Sequence, residues 1–295
     1  MNLYTQQSRN ITRTWLLMAV FLAVVVGLGY VVSIYSGNHA VLPVAIVFSV
    51  IMNIASFWYS DKIVLKLSGA TEAKREAYTD LYNIVENLSI TAGLPAPKIY
   101  VIEDVSANAF ATGRDPRHGV VAVTTGLLTL LNRTELEGVI AHELSHIGNR
   151  DTLLGTVVVV LVGFVSLVAD FFIRGRLFRG GDRDRVPPLF AILGIVFIIL
   201  SPVIAKLIQL SISRRREFLA DASGALLTRY PEGLAHALEK ISAQMTPLRY
   251  AHAATAHLFI ANPFGRDVGK KVLGLFSTHP STEERVHALL GEHHI

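Results

Sequence analysis

Residues 134–146 read Thr134-Glu135-Leu136-Glu137-Gly138-Val139-Ile140-Ala141-His142-Glu143-Leu144-Ser145-His146. Thr134 and Glu137 have the spacing of a capping box, with Thr134 as N-cap and Glu137 at N3, and so predict a helix that opens there. On that helix His142 and His146 lie on one face, about one turn apart. Two nitrogen donors at this spacing suit a tetrahedral zinc ion with bonds of about 2.0–2.1 Å. Glu143 follows the first histidine and reaches a water at the metal without being a ligand. By taking that water's proton it generates the hydroxide that attacks a peptide carbonyl. The same pattern arises by chance in unrelated proteins, but a chance match needs neither a capped helix with apolar flanks nor a further ligand downstream.

A catalytic zinc takes three protein ligands and keeps a fourth position open. The best third candidate is Glu217, in Arg214-Arg215-Arg216-Glu217-Phe218-Leu219-Ala220-Asp221. If this segment is helical, Glu217 and Asp221 share a face, so Glu217 can bind the metal while Asp221 orients a ligand histidine. Three preceding arginines offer a different reading, a solvated salt-bridged turn. His236, His252, His257 and His279 are rival third ligands in less well matched segments.

Around these segments the 295-residue chain is divided by hydrophobicity. Its mean hydropathy is +0.44, and the excess collects in four apolar runs, at about 15–35, 40–59, 152–170 and 189–210. Each is near the length that crosses roughly 30 Å of hydrocarbon, which makes the lipid bilayer a partner. The first run is too long for a signal peptide's apolar core and is followed almost at once by the second, so the two read as a retained hairpin. Four segments result: 1–60, a tail with a membrane hairpin; 61–151, the first catalytic part; 152–210, a second hairpin; and 211–295, the second catalytic part with the third ligand. Within 61–151, Glu72–Ala92 reads as an amphipathic helix stopped by Gly93, and Lys98–Glu103 and Gly119–Thr124 read as strands, with Asn108–Thr112 between them. The chain contains no cysteine, which excludes disulfides, thiolate nucleophiles and cysteine-based zinc sites. A net charge of +4, with no basic patch interleaved with aromatics, argues against a nucleic-acid partner.

Four features in order resemble the HtpX family of membrane zinc metalloproteases, bacterial relatives of the CAAX prenyl endopeptidases. They are Asn108-Ala109-Phe110-Ala111, His142-Glu143-Leu144-Ser145-His146, Glu217 with Asp221, and Thr278-His279-Pro280-Ser281 followed by Arg285. The resemblance implies an α+β, zincin-type (gluzincin) metalloprotease domain on four transmembrane helices, with one Zn²⁺ per chain. It implies Glu217 as third zinc ligand and Asp221 behind a ligand histidine. It further implies that Asn108 and the adjoining strand hold extended substrate and that His279 and Arg285 approach the active site. Read from the residues alone, Asn108 is equally a loop-capping amide and His279 a turn residue before Pro280. The implied activity is endoproteolysis of unfolded, misfolded or membrane-associated polypeptides, in quality control under stress.

Two other functions fit parts of the pattern. A zinc sensor or transporter would need polar residues within the spans, where Asn53, Lys206 and Gln209 are the main ones, and would have no use for a carboxylate at 143. A CAAX-type prenyl-protein protease shares the motifs, but four helices do not enclose the longer chamber expected of it. His142 and Glu217 can share an ion only if the chain crosses the bilayer twice between them or not at all, and a pair of crossings by runs three and four is the simpler reading. Arg9, Arg13, Lys62, Lys66 and Arg214–Arg216 then fall on one side, which the positive-inside rule assigns to the cytoplasm with the catalytic domain and both termini. The protein is thus expected in the bacterial inner membrane. Five arginines and two aspartates within 174–185 dissent, and a re-entrant second hairpin would reconcile them. His142 lies ten residues before run three, close to the bilayer surface, so self-cleavage is expected once detergent loosens that barrier.

Overall fold

The structure, a computed structural model, describes residues 3–163, 214–244, 246–252, 254–265 and 280–291. It begins with two long helices, α1 (Leu3–Ser36) and α2 (Val41–Leu67). Within them Gln7–Ser36 and Val41–Leu67 are long and apolar enough to cross a membrane. Their outer faces expose Leu16, Tyr30, Val31, Ile34, Val44, Val47, Ile51 and Ile54, an apolar surface that water would penalise and lipid would not. The helices approach closely where Gly29 meets Ala45: a Cβ at position 29 would fall within 2.3 Å of the Ala45 Cβ. The third apolar run starts as α6 (Asp151–Gly163), which packs Leu154, Val157, Val158 and Leu161 against Leu17, Met18 and Phe21 of α1. The rest of runs three and four lies outside the described residues, so two of the four expected spans are seen at full length.

The catalytic part is mixed α+β. Strands β1 (Thr71–Glu72), β2 (Lys98–Ile102), β3 (Ala109–Thr112) and β4 (Val120–Thr124) form one sheet in the order β1-β2-β4-β3. The β2–β4 pair is parallel and the two outer pairs are antiparallel. Helices α3 (Thr79–Ala92), α4 (Thr125–Leu130), α5 (Arg133–Gly148), α7 (Arg214–Thr228), α8 (Pro231–Gln244) and α9 (Thr282–Leu290) complete it. One core joins residues from 61–151 and from 211–295: Leu81, Ile84 and Val85 of α3, Val121 and Val123 of β4, Ile140 and Leu144 of α5, and Leu234 and Leu238 of α8. The two catalytic stretches are therefore halves of one folded body.

Local chemistry moves two boundaries from their sequence expectation. The helix expected from Glu72 starts at Thr79, because Thr71 and Glu72 pair with Val101 and Tyr100 as an edge strand and Ala73 N–H donates to Ile99 O. The α5 cap is Asn132, not Thr134. Asn132 Oδ1 accepts from Glu135 N at 3.0 Å, and Glu135 Oε2 accepts from Asn132 N at 2.9 Å. Thr134-x-x-Glu137 has the same spacing, but Glu135 is also held by Lys240 of α8 at 2.8 Å, whereas Glu137 reaches only its neighbour Arg133 on the exposed face. Packing thus selects the earlier of two boxes.

Helix α5 runs through the centre of this body, and two glycines let its neighbours approach. At Gly224 a Cβ would stand 3.0 Å from His142 N, and at Gly138 one would stand 2.7 Å from Leu234 N. Gly138→Ala should therefore push α8 away and lower stability by about 1–3 kcal/mol. Gly148→Ala, whose Cβ would meet only the Leu94 side chain at 3.5 Å, should leave the thermal midpoint nearly unchanged. Equal midpoints for the two variants would contradict this account of the α5–α8 crossing.

Candidate metal centre

Helix α5 presents His142, Glu143 and His146 toward a cavity of about 50 Å³, and α7 presents Glu217 from the opposite wall. The Nε2 atoms of the two histidines are 3.1 Å apart, with rings perpendicular at centroids 4.7 Å apart. Glu217 Oε1 lies 3.7 Å from His146 Nε2, and Oε2 lies 3.8 Å from His142 Nε2. These three side chains form a group able to hold a metal ion, their donor atoms all within 4.8 Å of one another. Donors around one four-coordinate zinc sit about 3.3 Å apart, which follows from tetrahedral bonds of about 2.0–2.1 Å. The donor set thus fits, and a cavity of this size has room for an ion with one or two waters.

Each histidine is oriented from behind by a carboxylate. His142 Nδ1 is 2.9 Å from Asp221 Oδ1, and His146 Nδ1 is 3.0 Å from Asp151 Oδ2. Both contacts fix a ring proton on Nδ1 and turn Nε2 to the cavity, where it is the lone-pair nitrogen whenever the ring is neutral. Behind Asp221 stands Arg285 of α9, only 2 % exposed. It donates from Nε to Oδ2 at 2.8 Å and from Nη2 to Oδ1 at 2.6 Å. Behind Asp151 stands Asn10 of α1, whose Nδ2 donates to Asp151 Oδ1 at 2.6 Å and to Asn149 O at 3.0 Å. Arg216 Nη1 approaches the same Oδ1 at 3.7 Å. A membrane helix is thereby bonded to the support of His146.

Glu143 is buried, and its Oε2 has no hydrogen-bond partner among the described residues, although its carboxylate also accepts Ala111 N–H from β3. A buried carboxylate oxygen without a partner is costly, and Glu143 is among the residues that line the cavity. Burial pushes the Glu143 carboxyl up to about 7, against the pull of His146. His142 is pushed down to about 4, chiefly by burial, despite Asp221. For His146 burial acts downward too, but the hydrogen bond it donates to Asp151 and the charges of Glu217, Asp151 and Glu143 overcome it and raise the ring to about 9. Asp221 stays below the usual carboxylate range because its bonds to His142 and Arg285 outweigh burial.

The structure brings together His142, Glu143, His146, Glu217, Asp221 and Arg285. His279 lies outside the described residues. Asn108 sits one step back from the cavity: its Nδ2 donates to Ala261 O at 3.0 Å, and its Oδ1 accepts from Ala261 N at 3.2 Å. Ile260 N donates to Ala109 O at 2.9 Å, so Asn108 clamps residues 260–261 along the outer edge of β3, and Ala111 is the strand residue that reaches the cavity. Among the rival ligands His236 and His252 are exposed, and His257 stands at the rim with Nε2 3.2 Å from Gly155 O. Asp151, Asn10 and Arg216 are site residues the sequence reading passed over. Asp151 carried a signal, an acid soon after His146 at the mouth of an apolar run; Asn10 carried none, because its partner is remote in sequence.

A histidine raised to about 9 is protonated at neutral pH and must lose that proton to ligate. Metal uptake at pH 7.5 should therefore release about one proton, and affinity should rise with pH up to about 9. Removing Asp151 returns His146 toward its ordinary value. Asp151→Ala should abolish most of the release and weaken metal binding about 10–100-fold. Calorimetry in two buffers of different ionisation enthalpy measures both. Wild-type affinity in Asp151→Ala would refute the assignment of Asp151.

Comparison with known proteins agrees with this geometry. The model of peptidase family M48 matches residues 75–293. A protease HtpX homologue of Caldanaerobacter subterraneus is 44% identical over 295 residues, covering 97% of each chain. One of Pyrococcus furiosus is 46% identical, covering 94% of each. The crystal structure of S. mikatae Ste24p superposes with a TM-score of 0.51 at 17% identity, over 94% of this chain and 67% of that one, a likeness of fold. The chain belongs to peptidase family M48, as a membrane metalloprotease of the HtpX group.

Proposed function

We propose that the metal is zinc, held by His142, His146 and Glu217, and that Glu143 is the general base in endoproteolysis of unfolded, misfolded or membrane-associated polypeptides. The observation that carries the reading is the convergence on a single small cavity of three donor side chains and of Glu143, whose Oε2 has no hydrogen-bond partner among the described residues. Zinc, when bound there, supplies Lewis-acid polarisation of a peptide carbonyl and lowers the pKa of water. Glu143 takes a proton from the attacking water and delivers it to the leaving nitrogen. Ala111 N–H holds the carboxylate in place during the exchange. Asp221 and Asp151 keep the two imidazoles aimed, and Arg285 keeps Asp221 charged although it is buried. A metal sensor or transporter has no need of Glu143.

Glu143→Gln preserves the shape and the ligand set but removes the base. It should retain one metal ion per chain and lose several orders of magnitude in casein cleavage. Near-normal proteolysis by this variant, with metal bound, would end the general-base assignment.

Four spans, with the catalytic part in the cytoplasm, belong to the same proposal. The 3.7 Å approach of Glu217 to His146 supports it, because residues 152–210 lie between the two and so cross the bilayer an even number of times. The chain has no native cysteine, so single introduced cysteines report cleanly. One at Gly180 should react with an impermeant reagent outside intact cells, and one at Ser281 should not. The reverse pattern would invert the orientation, and protection of both would favour a re-entrant hairpin.

A further inference from the structure

Where α2 leaves its apolar stretch, a second cleft of about 400 Å³ opens between that helix and the sheet. Its walls include Trp58, Tyr59, Lys62, Lys98, Arg114 and Arg117. None of these belongs to the metal centre. Trp58 lies about 26 Å along α2 from Val41 at 1.5 Å per residue, near the thickness of a hydrocarbon core. It and Tyr59 are half exposed, at 52 % and 54 %, the disposition of an aromatic belt at the level of lipid headgroups. The Arg114 guanidinium lies over the Trp58 ring at 4.8 Å, and Lys62 Nζ lies over Tyr59 at 5.6 Å. Cations and belt aromatics thus form one continuous surface.

The charge balance of this cleft is positive. Among the lining residues Lys62, Lys98, Arg114 and Arg117 give four positive charges against Asp61, a net of three, which Asp115 beside Arg114 lowers to two. Asp115 is already committed: it accepts from His118 Nδ1 at 2.8 Å and from the Arg117 and His118 amides, and pairs with Arg114 Nε at 3.6 Å. Lys62, Lys98 and Arg117 are all exposed and form no ion pair with a carboxylate among the described residues. Such a site selects a phosphate-bearing anion. Its position beside the belt selects one that also has acyl chains, which can lie along the exposed apolar face of α2. We propose that this cleft binds the phosphodiester headgroup of an anionic phospholipid. The site would clamp the catalytic part to the bilayer at the end of β3, since Arg114 closely follows Ala111, the strand residue at the metal cavity.

The chain has two tryptophans, so Trp15→Phe leaves Trp58 as the only indole. This full-length variant, in neutral-detergent mixed micelles, is titrated with phosphatidylglycerol brominated on its acyl chains. Quenching of Trp58 should saturate. Adding Lys62→Gln, Lys98→Gln and Arg117→Gln, all exposed, should weaken it at least about tenfold with the thermal midpoint unchanged. Equal quenching by brominated phosphatidylcholine, unaltered quenching in the triple glutamine variant, or no quenching by either lipid would overturn the proposal. Displacement of phosphatidylglycerol by inorganic phosphate at equal concentration would reassign the cleft to free anions and overturn it as well.

Discussion

Two imidazoles must bring their Nε2 atoms to about 3 Å from one another, around one point, and nothing in an α-helix alone makes them do so. Helical spacing puts His142 and His146 on the same face, but each ring can still rotate about its own side-chain torsions. The carboxylates at Asp221 and Asp151 remove that freedom, because each binds the opposite ring nitrogen. They come from different places in the chain: one from α7, the other from the start of α6. The fold can be seen as a device for delivering two carboxylates to the back of one helix. The glycine at 224 that lets α7 lie against the His142 backbone serves that delivery, as does the Arg285 pair that keeps Asp221 ionised in a dry setting.

The supports differ in kind. Asp221 is neutralised by Arg285 in a bidentate pair, an arrangement that keeps it firmly charged. Asp151 instead receives an uncharged amide from Asn10 and only a distant guanidinium from Arg216. The contrast shows in the rings: His142 remains an unprotonated donor, while His146 holds a proton up to about 9. The centre is asymmetric although its sequence motif looks symmetric. The softer half is the one bonded to the membrane helix.

Much of this was legible in the residues. The histidine pair, its glutamate and Glu217 with Asp221 stand at helical spacings, so one-dimensional periodicity is enough to propose them. The same holds for the strands at 98–103 and 119–124, whose apolar runs are bounded by proline and glycine. What periodicity does not carry is a choice between equivalent local options. Two capping boxes overlap at the start of α5, and Lys240, more than a hundred residues away, selects between them. Likewise Glu72 suits a helix until Val101 and Tyr100 offer it a strand edge. Asn108 carries a motif's signature, yet the identity of its partner, the backbone of Ala261, depends on how the chain returns across β3. Asn10 was invisible for the same reason.

The bond pattern around Asp221 also has a meaning in time. Arg285 and His142, within 3.4 Å in the folded protein, are 143 positions apart in sequence, with an apolar segment of the membrane class between them. Synthesis runs from the N-terminus at roughly 5–20 residues per second, so His142 emerges several seconds before the arginine that completes its support. For about the first half of that interval the histidines lack Glu217, and for all of it they lack the Asp221–Arg285 pair. The order of the sequence thus withholds the third donor, and after it the arginine, until the residues between 151 and 214 have been made.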